Sequence, residues 1–299
     1  MRCWAPCIRK IVEQHENFRY ALDRGPLRLP GAPRTAHLSA SATHEQRATA
    51  AYVRDSDLPA PAAGTAECWI RMAISLCTRG DAPTRELSVL SRFSVEMLRE
   101  NPFDFVLTGE SLNLPLWYLE PLCAALAPYQ NDVHVAEAVK QYAKSVAVIA
   151  QWNTLSFLAV LNTQVFQTRR QVIWPDGPPW SSDLSLSLLE GSCRDLAVLF
   201  CDFCRVMGIA ARLVSEYERA SAGWQDSYMH AWVEVCLPGA GWRGYNPSRG
   251  LAVSRAHVAV AAGFDHDLAC PVAGLYRGGS RSQMEASLRM HVDPDRSIS

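Results

Sequence analysis

No run of 18 residues in this 299-residue chain is both strongly apolar and free of charge, so no membrane-spanning helix is expected. Neither charge sign is in excess. The formal net charge is -1, which argues against a nucleic-acid or anionic-membrane partner. The opening stretch "MRCWAPCIRKIVEQHENF" lacks the apolar segment of a secretory signal, and the expected location is the cytoplasm. No internal period is visible, which excludes a repeat architecture. An acidic loop with calcium-binding spacing is missing, as is a second C-x-x-C or an H-x-H beside the one C-x-x-C. No metal or organic cofactor is therefore expected. Oligomeric state is not readable.

What the chain does have is cysteine, ten in all, with 48% hydrophobic and 20% charged residues in a globular balance. In a chain of this size without an export signal these read as reduced thiols. Cys3, Cys7, Cys68, Cys77, Cys123, Cys236 and Cys270 follow no repeated spacing and read as small buried hydrophobes. Three more, Cys193, Cys201 and Cys204, fall in one stretch, "EGSCRDLAVLFCDFCRVMGI".

Residues 1–100 read as a smaller β-rich region, partly loop. Its stretch 26–66 is rich in Pro, Ala, Ser, Thr and Gly and reads as loop, weak strand or disorder. "CWIRMAISLCT" and "ELSVLSRFSVEML" have strand character. Residues 101–299 read as a second domain. "PLWYLEPLCAALAPY", "VAEAVKQYAKSVAVIAQW" and "NTLSFLAVLNTQVFQTRRQVIW" carry helix-spaced apolar residues, with Leu155, Phe157, Leu158, Leu161 and Val165 on one face of the third. "PDGPPWSSDLSLS" reads as a loop. The cysteine stretch predicts a helix capped by Ser192 or the glycine before it. Its buried face is Leu196, Leu199, Phe200, Phe203, Val206 and Met207, and it stops at Gly208. "IAARLVSEY", "MHAWVEVCL" and "WRGYN" then predict strands, with "PGAG" as the hairpin turn, and "SQMEASLRMHV" closes as another. Helices followed by an antiparallel meander predict an α+β domain.

Cys193 falls in the first turn of its helix, where unpaired N–H groups and the dipole favour a thiolate. Cys201 and Cys204 lie further along, with Asp202 between them expected to face away, and read as packing residues rather than zinc ligands or a redox pair. A thiol nucleophile needs a base and a group that orients the base. With the hairpin turn near 238 to 241, His230 falls roughly opposite residue 248. Asn246 is then a neighbour on the adjacent strand. His230, Trp232 and Glu234 share one face. Taken singly, each residue has a plainer reading: a structural cysteine, a satisfied histidine, a turn asparagine before Pro247. Cys, His and Asn together make a chemically complete set.

"EGSCRDLAVLFCDFCRVMGIAARLVSEY", "MHAWVEVCLPGAGWRGYNPSRG" and "GLYRGGSRSQMEASLRM" resemble the bacterial transglutaminase-like proteins of the papain-like cysteine protease superfamily, over roughly residues 86 to 292. "HENFRYALDRGPLRL" is similar to a shortened form of that family's N-terminal domain. The resemblance implies a nucleophile helix packed on an antiparallel sheet, with Cys193 as nucleophile, His230 as base and Asn246 as orienting residue. It implies acyl transfer or hydrolysis on peptide or side-chain amides through a thioester, on a peptide or protein substrate bearing an amide or glutamine side chain.

Two positions depart from the family pattern. Asn246 stands where most members have Asp. Trp180 stands where the family has a Gln before the nucleophile, so an indole N–H would have to serve the oxyanion. Arg194 and Asp195 are expected to brace the site. Trp232 and Trp242 either wall a substrate groove or fill the core. The rival function is a catalytically weak or inactive scaffold of the same fold that binds peptide or protein partners.

Overall fold

The computed structural model describes residues 101–107, 109–173, 178–218, 228–254 and 257–275, together with the backbone of eight further strand segments. Seven of these precede residue 100. They are β1 (Phe18–Leu22), β2 (Arg34–Ser41), β3 (Gln46–Ala51), β4 (Ala66–Ile70), β5 (Ala73–Gly80), β6 (Ser88–Val89) and β7 (Arg92–Met97). All pair antiparallel: β4, β5 and β2 in a four-stranded sheet, β3 with β7, and β1 with β6. The stretch 26–66 thus supplies β2 and β3, and the single strand expected over "ELSVLSRFSVEML" is two.

Helices follow. Proline punctuates the first: α1 (Leu122–Leu126) begins after Pro121 and gives way to a 3-10 turn containing Pro128, so the helical spacing expected there yields little more than one turn. α2 (Glu137–Ile149) and α3 (Thr154–Thr168) are separate because Gln151 and Trp152 turn left-handed, with φ of 53° and 57°. Asn153 then caps α3 by accepting from the Ser156 N–H at 3.0 Å. Phe157, Leu158, Leu161 and Val165 are buried as expected. Leu155 is on the outside, because it precedes that stripe by half a turn.

The expected loop "PDGPPWSSDLSLS" contains a helix, α4 (Ser182–Leu188). Its amphipathicity is inverted: Ser182 and Ser185 point inward while Leu184 and Leu188 are exposed, so hydrophobic periodicity does not reveal it. Two short strands, β8 (Arg170–Gln171) and β9 (Glu190–Gly191), pair in parallel on either side.

α5 (Cys193–Val206) packs on an antiparallel sheet of β10 (Ala211–Glu218), β11 (Tyr228–Leu237), β12 (Gly241–Asn246), β13 (Leu251–Ala252) and β14 (His257–Gly263), in the order β13-β12-β11-β10-β14. The chain crosses over to place β14 beside β10, so the sheet is not a plain meander. β15 (Val272–Leu275) joins the edge of β2, and β16 (Ser282–Met284) pairs with β1. The rest of the expected tail strand lies outside the described residues. One core joins α2, α3, α5 and the sheet through Val139, Phe157, Leu196, Phe200, Phe203 and Val233. Each fully buried Leu or Phe contributes about 1.5–3 kcal/mol.

The α5–β10 connection turns on Gly208, whose φ is +73°. A Cβ there would meet the Leu116 carbonyl oxygen at 2.5 Å. The same strap is tied down by the Leu116 N–H donating to the Met207 carbonyl at 2.9 Å. Tyr118 adds two bonds, its hydroxyl accepting from the Ala210 N–H at 2.9 Å and donating to the Cys236 carbonyl at 2.6 Å. Gly208→Ala combines the left-handed penalty with a clash against backbone. It is expected to cost about 2–4 kcal/mol, read as a lowered urea midpoint.

Candidate active site

Cys193 is the first residue of α5, and the sequence around it builds that helix end without outside help. Ser192 is the N-cap. Its hydroxyl accepts from the Asp195 N–H at 3.4 Å, and the Asp195 carboxylate accepts from the Ser192 N–H at 2.6 Å, a reciprocal capping box. The second Asp195 oxygen accepts from the Trp180 N–H at 2.7 Å. Asp195 thus accepts from two backbone donors and pins the loop ahead of α4 to the start of the cysteine helix. Arg194 beside it is 3% exposed. Cys193 itself is fully buried, in the first turn of α5 at the positive end of the helix dipole.

The other described thiols contrast with this. Burial pushes Cys201 up to about 12 and Cys236 up to about 11, and raises Cys204 well above the ordinary thiol range. Cys123 is exposed.

The β11–β12 hairpin brings His230 and Asn246 together. Val233 pairs with Tyr245 and Leu237 with Gly241, so the same register carries 230 opposite 248, as the turn position predicts. His230 Nε2 lies 3.1 Å from Asn246 Oδ1 and 3.1 Å from Ser248 Oγ, and the Ser248 hydroxyl donates to Asn246 Oδ1 at 3.0 Å. A carbonyl oxygen can only accept, and the serine proton is already committed to it. Nε2 therefore carries the hydrogen, and in the neutral ring Nδ1 carries the lone pair. All three residues are 5% exposed or less.

The packing of α5 sets where Cys193 stands along the sheet. Near its C-terminus Arg205 donates to the Ala211 carbonyl at 3.2 Å, at the start of β10. One and a half turns earlier Phe200 stacks on Tyr245, with ring centroids 5.8 Å apart. The helix thus runs back along the strands. Twelve residues of helix cover about 18 Å, roughly the ~17 Å that five strand residues take from Ala211 to Glu216, the partner of His230. Cys193 and the His230–Asn246 pair lie at the same end of the sheet.

The tryptophans divide differently. Trp232 packs with Val214 and Ala259 in a second small core, against a Gly244 that has no room for a Cβ: one would meet the indole at 2.2 Å. Trp242 is four residues from Asn246, about 13 Å along the strand, under the Arg212 guanidinium at 4.2 Å. The geometry does not join either to Cys193. Trp180 is half-buried beside the cysteine helix.

Asp202, expected to face away, is buried and accepts from Arg205 at 3.2 Å with His134 Nε2 also at 3.2 Å. All of α5 except Val198 and Val206 is buried, so the helix offers no solvent face for a polar residue. Two site neighbours are not read from the sequence: Ser248, beyond the proline expected to close the strand, and Glu216, fully buried on β10 directly opposite His230. Among the described residues no group of three or more His, Cys, Asp or Glu could hold a metal ion, and no helix is long and apolar enough to cross a membrane.

Residues 158–247 match the sequence model of the transglutaminase-like superfamily, a span holding Cys193, His230 and Asn246. No curated protein matches the chain. Among solved structures, a candidate cysteine protease from Cytophaga hutchinsonii is similar with a TM-score of 0.59 and 17% identity, over 93% of this chain and 90% of that one. The periplasmic domain of TgpA from Pseudomonas aeruginosa is similar with a TM-score of 0.40 and 15% identity, over 79% of this chain and 91% of that one. The likeness to the Cytophaga protein, at 17% identity, is one of fold, a mixed helix and antiparallel-sheet architecture.

Proposed function

We propose, from the match of residues 158–247 to the transglutaminase-like superfamily model, that the chain is a cysteine-dependent enzyme of amide chemistry using Cys193, His230 and Asn246. The observation that supports the reading is the His230–Asn246 contact at 3.1 Å, which favours the Nε2–H tautomer and leaves Nδ1 as the basic nitrogen for the thiol. Cys193 loses its proton to Nδ1. The thiolate attacks the amide carbon, and the C–N bond breaks as His230 returns the proton to the departing amine or ammonia. The thioester then passes to water, giving hydrolysis or deamidation, or to an amine, giving transamidation. In this reading the Cys193 backbone N–H, at the positive end of α5, is the donor to the developing oxyanion. The Trp180 backbone N–H is spent on Asp195, so a contribution from this residue falls to its indole. The substrate is a peptide or protein amide, with glutamine side chains included.

Complete burial of Cys193 and a neutral third member favour a second reading, a scaffold of the same fold that binds protein partners without turnover. Thiol labelling separates the two. Iodoacetamide labelling against pH, mapped by mass spectrometry, is expected to find Cys193 reacting fastest below pH 7. Cys201, Cys204 and Cys236 stay unlabelled there, and exposed Cys123 serves as the ordinary reference. His230→Ala should erase the advantage of Cys193. If Cys193 reacts no faster than Cys123, the catalytic reading is lost and the scaffold takes its place.

A further inference from the structure

Asn246 is neutral, yet the base it orients must carry a positive charge while the thiol is ionised. In a buried site that charge needs an anion. The described residues include one placed for it. Glu216 is fully buried in the middle of β10, a setting where a carboxylate is rare unless paired. Of the two residues opposed to it across the flanking strands, one is Ala259 on β14 and the other is His230 on β11. Directly opposed residues in an antiparallel pair point to the same face, with Cβ atoms about 4.5–5.5 Å apart. The β10–β14 register shifts between Ser215 and Glu216, the kind of irregularity that re-aims a side chain next to a site. His230 Nε2 is already held by Asn246 and Ser248, so Glu216 acts on the ring through charge, not by replacing either contact.

We infer that Glu216 is a positioning residue for the Cys193–His230 pair: its buried carboxylate, directly opposite His230, supplies the negative charge that Asn246 lacks and holds His230 as imidazolium beside a Cys193 thiolate. This rests on the reading of His230 as the base. The proton balance is simple. The thiol proton moves to Nδ1, the Nε2 hydrogen stays between Asn246 and Ser248, and Glu216 remains ionised throughout. Among the described residues, the other ionisable groups at this end of the sheet include Arg194 and Asp195 in the first turn of α5, Arg249 after β12 and His257 on β14. Asp195 is engaged by the Trp180 and Ser192 backbone.

The test moves the charge. In Glu216→Gln the alkaline limb of the Cys193 labelling profile, where imidazolium is lost, is expected to fall by about one pH unit, and labelling at pH 6.5 to slow roughly ten-fold. Glu216→Gln with Asn246→Asp returns an anion to the other side of the ring and should restore both. A Glu216 that only supports the fold would not be rescued from position 246. An unchanged profile in Glu216→Gln, or no rescue in the double variant, overturns the inference while leaving an activated wild-type Cys193 intact. Should wild-type Cys193 label no faster than Cys123, the catalytic reading itself has failed. Histidine nitrogen NMR on the wild type needs no variant. It is expected to show His230 protonated on both nitrogens at pH 7, and a neutral ring there overturns the proposal.

Discussion

Cys193→Ala is expected to abolish release of ammonia from glutamine peptides, and hydrolysis of peptide amides, by at least ~10³-fold while the protein still folds. The size follows from chemistry. Without sulfur there is no thioester, and water attacking directly must manage without the covalent route that splits one hard step into two. Retention of the fold follows from the structure. The helix start is built by Ser192, Asp195 and the Trp180 backbone, none of which uses the cysteine side chain. A buried thiol replaced by methyl leaves a small void, worth about 1 kcal/mol. Cys201→Ala and Cys204→Ala, at the apolar middle of the same helix, should cost stability by similar amounts and leave turnover within a factor of two or so. Activity that survives in Cys193→Ala removes the nucleophile assignment, and activity lost equally in all three points to packing. The readouts are an ammonia assay paired with a thermal melt of each variant.

The parts of this arrangement that were legible in the sequence are those fixed by local rules. Ser192 announces a helix start and Gly208 its stop, because cap chemistry depends on neighbours three or four residues away. The His230–Asn246 pairing was legible for a similar reason: a short hairpin fixes register, and register fixes who faces whom. Glu216 was not, since the connection from β10 to β11 is long and no turn rule sets that pairing. α4 was hidden by serines that point inward and leucines that point out. Asp202 was misplaced because helical periodicity assumes water on one side, and α5 has protein on all of them. Local chemistry places Cys193 and His230. Enclosure by distant segments, which no window of sequence contains, places the buried charges.

That enclosure makes Arg205 the residue whose removal should damage the fold most. Its guanidinium is 8% exposed, yet four groups use it: Asp202 at 3.2 Å, the Tyr129 carbonyl at 3.3 Å, the Ala211 carbonyl at 3.2 Å, and the Phe264 carbonyl. One side chain therefore ties α5 to the 3-10 turn before α2, to the start of β10 and to the segment after β14. Arg205→Ala removes all four bonds and strands the Asp202 carboxylate, which is 1% exposed and left with His134. Breaking a buried pair in this one-sided way costs about 3–5 kcal/mol, a loss on the order of 10 °C in melting temperature for a domain of this size. Taking both charges away should do less harm. In Asp202→Asn with Arg205→Met no carboxylate is stranded, and the methionine keeps much of the apolar stem packing. Urea midpoints of Asp202→Asn, Arg205→Met and the double variant measure the coupling. If the double variant is as unstable as the sum of the singles, the carbonyl bonds dominate over the charge pair. If it is clearly more stable than Arg205→Met alone, the stranded carboxylate is the main cost.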